Sequence, residues 1–66
     1  MNIQLNGKRF LLSDGSTIEA LLKGLEITHR GIAVELNREI IPKSRYTDTY
    51  LKEGDRLEIV QMVGGG

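Results

Sequence analysis

Asn6-Gly7 stands between two short runs that alternate apolar and polar residues, and nothing else in the chain limits its fold as strongly. A two-residue turn with positive φ at both central positions favours Asn-Gly, and its twist matches that of paired strands. Met1 to Leu5 thus reads as a first strand, with Ile3 and Leu5 on one face and Asn2 and Gln4 on the other. Lys8 to Leu12 returns beside it, with Phe10 and Leu12 turned the same way as Ile3. An isolated hairpin is marginal in water, so its apolar face needs a cover.

The next stretch supplies one. Ser13-Asp14-Gly15 is a turn, and Ser16-Thr17-Ile18-Glu19 matches a capping box that starts a helix at Thr17. Ile18, Leu21, Leu22 and Leu25 follow at i, i+3, i+4 and i+7, a single apolar stripe. Gly24, or the stretch just after it, ends the helix. Two or three turns do not hold alone, so this helix packs on a sheet. Residues 27–31 connect to Ile32-Ala33-Val34-Glu35-Leu36, which alternates again, and Asn37-Arg38-Glu39 turns into a short strand at Ile40-Ile41. Pro42 stops that strand or confines it to a sheet edge. Lys43 to Leu51 has no clear period; Tyr46 and Leu51 are expected to close the open end of the core. After the turn Lys52-Glu53-Gly54-Asp55, Arg56 to Met62 forms the last strand, with Leu57 and Ile59 inward. The order predicts an α+β chain of the β-grasp kind. Its mixed sheet has four to five strands, with one helix across one face and the first and last strands side by side in the middle. Residues 1–62 form the domain and residues 63–66 a flexible tail.

Size and composition narrow the function. A chain of 66 residues buries only about 60% of its unfolded surface, leaving little room for a substrate cavity. There is no cysteine and a single histidine, so a thiol nucleophile and a His/Cys metal cluster are both excluded. Nine Lys+Arg balance nine Asp+Glu along the chain, so no basic stripe points to nucleic acid or an anionic membrane. No apolar run is long enough to span a bilayer, and no signal-peptide core is present, so a cytoplasmic protein is expected. No nucleophile–base pair, metal spacing or phosphate loop supports an enzyme.

What remains is the end of the chain. Val63-Gly64-Gly65-Gly66 follows directly on the β-prone run Leu57 to Met62. Glycine gains nothing from burial and loses the most backbone freedom on ordering. A rigid strand therefore hands over to a segment without side chains that carries one α-carboxylate. Extended, this segment reaches roughly 13 Å at about 3.3 Å per residue. Such a tail fits a narrow channel in a partner.

Val34-Glu35-Leu36-Asn37, then Ile40-Ile41-Pro42-Lys43-Ser44-Arg45-Tyr46, then Leu51, Gly54-Asp55, Leu57-Glu58-Ile59-Val60 and the terminal Gly65-Gly66 resemble the ThiS family. These are ubiquitin-like β-grasp sulfur carriers of thiamin biosynthesis. The resemblance covers essentially the whole chain and is most specific from Val34 to Gly66. Terminal Gly-Gly alone is shared with MoaD-type carriers and ubiquitin, but MoaD-like chains are usually longer and carry prolines before the tail. Tyr46 stands where the family often has Trp, a packing substitution. The resemblance implies that a ThiF-like adenylyltransferase uses ATP and Mg to join the Gly66 carboxylate to AMP. A persulfide, supplied through a cysteine desulfurase, then displaces AMP. The resulting thiocarboxylate gives its sulfur to a ThiG-like thiazole synthase. On this view Gly66 carries the sulfur, Gly65 and Gly64 thread the partner's channel, and the chain holds no catalytic residue, metal or cofactor of its own.

A carrier also needs a docking face. Alternation through the last strand puts Val60 and Met62 on the sheet face away from the helix, with Glu58 or Arg56 at the rim. His29 beside Arg30 reads as a solvated loop residue, and Asp14 and Asp55 as turn residues. Three other readings stay open. They are a MoaD-like carrier for molybdopterin synthesis, a ubiquitin-like modifier of protein lysines, and a non-covalent β-grasp interaction module with an incidental tail.

Overall fold

The computed structural model describes residues 1–28 and 30–62. Five strands and one helix follow in the order β1 (Asn2–Leu5), β2 (Lys8–Leu11), α1 (Ile18–Gly24), β3 (Ile32–Leu36), β4 (Glu39–Ile41), a 3₁₀ turn (Lys43–Arg45) and β5 (Arg56–Gln61). The expected 63–66 tail lies outside the described residues, as does His29.

The Asn6-Gly7 turn forms as its sequence requires. Both residues have positive φ, 50° and 84°, and Leu5 faces Lys8 directly across them. Asn37 and Arg38 repeat the device between β3 and β4, with φ of 51° and 71°. The sheet runs β2-β1-β5-β3-β4. β1 and β5 are parallel at its centre, and every other pairing is antiparallel. Parallel neighbours need a crossover. Here the chain between them carries α1 over one face and returns through β3 and β4, the β-grasp arrangement read from the sequence.

One face of the sheet and one stripe of α1 make the core. Ile3, Ile32, Val34 and Leu57 project from the strands to meet Ile18, Leu21 and Leu22, all at most 5% exposed. Burying a side chain of this size contributes roughly 1.5–3 kcal/mol. That contact holds a seven-residue helix too short to persist alone. Tyr46 and Leu51, from the segment without periodicity, close the end of the core at 1% and 3% exposure. The 3₁₀ turn after Pro42 swings Tyr46 inward through Arg45 N–H to Pro42 O and Tyr46 N–H to Lys43 O, at 2.9 and 3.1 Å.

The helix start differs from the sequence reading by one residue. Thr17 is the N-cap, and its Oγ1 accepts from Ala20 N–H at 3.1 Å. Ser16, the expected cap, instead donates its hydroxyl to Ser13 O at 2.7 Å. Long-range pairing is the cause: Leu51 N–H donates to Ser16 O, Ile18 N–H donates to Thr49 O, and Thr17 bridges Tyr50. These bonds keep Thr17 extended, so the helix begins later and Glu19 misses the third helical position that a capping box needs. At the other end Gly24 is still helical. Ile27 N–H bonds Leu22 O and Glu26 N–H bonds Lys23 O, with Glu26 left-handed at φ 58°. This is a Schellman closure, with Glu where Gly is usual.

Burial raises the Tyr46 hydroxyl above its ordinary pKa of 10.0, against a smaller opposing effect from a hydrogen bond with the Val34 backbone. The neutral phenol is therefore favoured in the folded chain. Its contribution is complete below the unfolded value and is lost as pH rises through the folded one. Urea unfolding is expected to show stability falling above about pH 10, and Tyr46→Phe to flatten that fall. An identical alkaline slope in the variant would assign the loss to other groups.

Candidate functional site at the end of the last strand

β5 is held along its β3 edge to its end and along its β1 edge as far as Ile59. On the β3 side, five consecutive pairs run from Leu36↔Leu57 to Ile32↔Gln61, and Met62 N–H then donates to Gly31 O at 2.7 Å. On the β1 side the ladder is short, Gln4↔Arg56 and Leu5↔Leu57. The chain turns away at Asn6, whose side chain continues the ladder in place of a peptide. Asn6 N–H donates to Leu57 O at 2.9 Å. One residue pair further, Ile59 N–H donates to Asn6 Oδ1 at 2.8 Å, and Asn6 Nδ2 donates to Ile59 O at 3.4 Å. A primary amide matches a peptide group in offering one acceptor beside a donor.

The second asparagine turn anchors the start of the strand. Asn37 N–H donates to Arg56 O at 2.8 Å, while Arg56 N–H donates to Asn37 Oδ1 at 3.0 Å. Asn37 Nδ2 donates in turn to Asp55 Oδ1 at 3.1 Å, and Asp55 Oδ2 accepts from Lys52 N–H at 2.7 Å. Asp55 is buried, at 9% exposure. It therefore does more than close its own turn, the role the sequence suggests. It also orients the amide that grips β5. Asn6, Asn37 and Asp55 were legible as turn residues, but their grip on a strand distant in sequence was not.

The face of the sheet away from α1 is open. Val60 and Met62 lie there 53% and 57% exposed, and Glu58 and Arg56 are exposed beside them. No bulge interrupts the register of β5 against β3, so Val60 stays outward opposite Ala33. Ile40, on the edge strand β4 and 64% exposed, extends the same face. Its place in the Ile40-Ile41 pair hid it, because two adjacent isoleucines do not say which one faces out. A shallow depression of about 290 Å³ opens near the hairpin turns, lined among others by Gln4, Glu35, Arg38, Arg56 and Glu58. Its charges are mixed, and it holds no nucleophile. Gly64, Gly65 and Gly66, the expected threading and reacting residues, lie outside the described residues. What is described is their root, fixed up to Met62.

The sequence model of the ThiS family matches residues 3–66. The chain belongs to the ThiS family. It is 43% identical over 65 residues to the sulfur carrier protein ThiS of Bacillus subtilis, covering 97% of this chain and 98% of that protein. The crystal structure of the thiamine biosynthesis protein ThiS from Geobacter metallireducens superimposes with a TM-score of 0.88 at 30% identity, covering 100% of both chains. A thiazole synthase of Paramagnetospirillum magneticum is 46% identical over 66 residues. The chain spans 20% of that protein's length. ThiS proteins are sulfur carriers and not catalysts.

Removing the Asp55 carboxylate leaves the Lys52 N–H and the Asn37 amide without their acceptor, a loss of about 1–3 kcal/mol for buried polar groups. Asp55→Ala is expected to lower stability in urea unfolding by about that amount, and amide exchange should quicken first at Arg56. A variant as stable as the parent would show that water replaces the carboxylate.

Proposed function

We propose that the chain carries sulfur as a thiocarboxylate on Gly66 for assembly of the thiamin thiazole. The observation behind this reading is a strand hydrogen-bonded on to Met62 and followed in sequence by Val63-Gly64-Gly65-Gly66 in a chain of the ThiS family. A carboxylate resists nucleophiles, because it is negatively charged and oxide is a poor leaving group. Activation therefore comes first. A Gly66 oxygen attacks the α-phosphorus of ATP, held with Mg on a ThiF-like partner, and pyrophosphate leaves. The terminal sulfur of a persulfide, charged by a cysteine desulfurase, then attacks the acyl carbon, and AMP departs. A second thiol cleaves the S–S bond, which oxidises the pair of thiols to a disulfide and frees the thiocarboxylate.

Gly65 and Gly64 let the tail lie in a channel too narrow for a Cβ, and Val60, Met62 and Glu58 form the docking surface. The chain's own residues thus position an end and bind no cofactor; ATP and Mg are used by the partner. A thiazole synthase is the acceptor, in keeping with the thiazole synthases of Paramagnetospirillum magneticum and Magnetococcus marinus, of which this chain matches 20%. The absence of cysteine suits a carrier, since no internal thiol competes for the activated acyl group. The cytoplasm is the compartment where such a cosubstrate would meet ATP and its partners.

Intact mass spectrometry tests the chemistry. Incubation with a ThiF-like enzyme, Mg-ATP and a persulfide source is expected to exchange one oxygen for sulfur in the C-terminal fragment. Deletion of Gly66 should abolish that gain. Normal conversion of the shortened chain would remove Gly66 from the role. At the docking face, Val60→Asp is expected to lower kcat/KM of activation at least tenfold, which is about 1.4 kcal/mol, while the melting temperature changes little because the site is exposed. Unchanged kinetics would take Val60 off the surface.

A further inference from the structure

Beyond Leu57, the hold on β5 from the β1 side is the Asn6 amide. Ile59 N–H donates to its Oδ1 at 2.8 Å, and its Nδ2 donates to Ile59 O at 3.4 Å. The residue that follows is glycine, and Asn-Gly is the pair most prone to lose ammonia spontaneously. The reason is steric: the attacking nitrogen belongs to the next residue, and glycine puts no Cβ beside it. Gly7 is exposed, and beyond its chain neighbours no atom lies within 4 Å of where a Cβ would stand. Its N–H meets no acceptor among the described residues. The nucleophile is thus uncrowded and uncommitted. The other asparagines are Asn2, before Ile3, and Asn37, before Arg38, and in each the following side chain hinders attack.

The folded turn holds this reaction off. Ring closure needs Cγ and the Gly7 nitrogen on the same side of the Asn6 Cα–C bond. Asn6 is left-handed at φ 50°, a conformation whose ψ is ordinarily about +47°, which turns that nitrogen away from Cβ. The two bonds to Ile59 pin the amide as well. Attack therefore waits for the turn to open, a local event that costs less than unfolding the domain.

We propose that Asn6 is a hydrolytic modification site guarded by its own hold on β5, and that its modification makes the loss of that hold permanent. In the opened turn the Gly7 nitrogen bonds to Cγ and its proton passes to Nδ2. The Cγ–Nδ2 bond breaks, ammonia leaves, and a cyclic succinimide remains. Water then opens the ring at either carbonyl, giving aspartate or isoaspartate. The sum consumes one water and releases one ammonia, with no change of oxidation state. Neither product restores the hold. Aspartate still accepts from Ile59 N–H, but it sets a carboxylate oxygen against Ile59 O, where Nδ2 donated. Isoaspartate routes the main chain through Cβ and Cγ, and the extra atom breaks the turn that faces Leu5 with Lys8. The β1 edge of β5 then ends at Leu57, which Asn6 N–H still reaches.

The experiment ages the whole chain at mildly alkaline pH, folded and in urea, and follows fragment masses and amide exchange. It needs no partner protein, so its outcome is independent of the carrier reading. A gain equal to replacing one amino group by hydroxyl is expected in the fragment holding Asn6, before those holding Asn2 or Asn37. Conversion should be about tenfold or more slower in the folded chain than in urea, the mark of a local opening. In the converted folded chain, exchange at Ile59 should quicken about tenfold or more, while Met62 N–H, bonded to Gly31 O, exchanges as before. Asn6→Asp supplies the aspartate product without ageing, and should quicken Ile59 less than the isoaspartate form does. Equal rates folded and in urea overturn the guard. An Asn6 left intact in the folded chain long after conversion in urea is complete, or an Asn37 that converts first, overturns the site. Unaltered Ile59 exchange in the converted chain overturns the release.

Discussion

The fold depends on how β5 is gripped. A parallel pair at the centre of a sheet joins the first and last strands, and the β1 side of that pair has only two register pairs. The Asn6 amide extends it, and Asn37, held by Asp55, secures the other edge. Side chains from two turns thus do work that longer strands would do with backbone alone. In a chain of 66 residues this economy matters, since the core is too small to tolerate a loose central strand.

Division of labour follows from that grip. Everything that packs lies on the helix side, where Ile3, Ile18, Leu22, Val34, Tyr46 and Leu57 are almost wholly buried. The other side, with Val60 and Met62, is left exposed. A sulfur carrier of the ThiS family has no bond to make or break by itself, so its scaffold needs only rigidity, a face and an end. β5 is firmly paired, and Val60 and Met62 on and just after it lie on the open face.

Local patterns were read well where period and turn chemistry agreed. Asn6-Gly7, the stripe from Ile18 to Leu25, and the alternation of β3 and β5 each specify an element with little help from elsewhere. The register of the open face follows from the same alternation, which is why Val60 and Met62 could be placed from sequence. Failures came where distant residues overrode local preference. Ser16 reads as a helix cap until Leu51 N–H claims its carbonyl. Asp55 does close its turn as read, but its second contact, with Asn37, comes from a distant turn. Ile40 could not be told from Ile41, because a three-residue strand carries too little pattern to choose a face. The glycine tail is read for a different reason, since glycines in series encode a lack of side chains whatever the fold, and residues 63–66 lie outside the described structure.

The parallel β1–β5 pairing has a mechanical side. Tension applied at Met62 acts along the axis of β5. The ladder bonds to β1, β3 and the two asparagines lie across that axis, so they carry the load in shear. On the β1 edge the bonding ends at Ile59, so from Val60 to Met62 the strand is held by β3 and Gly31. The pull thus meets the β3 ladder first and reaches the doubly bonded stretch from Arg56 to Ile59 only afterwards.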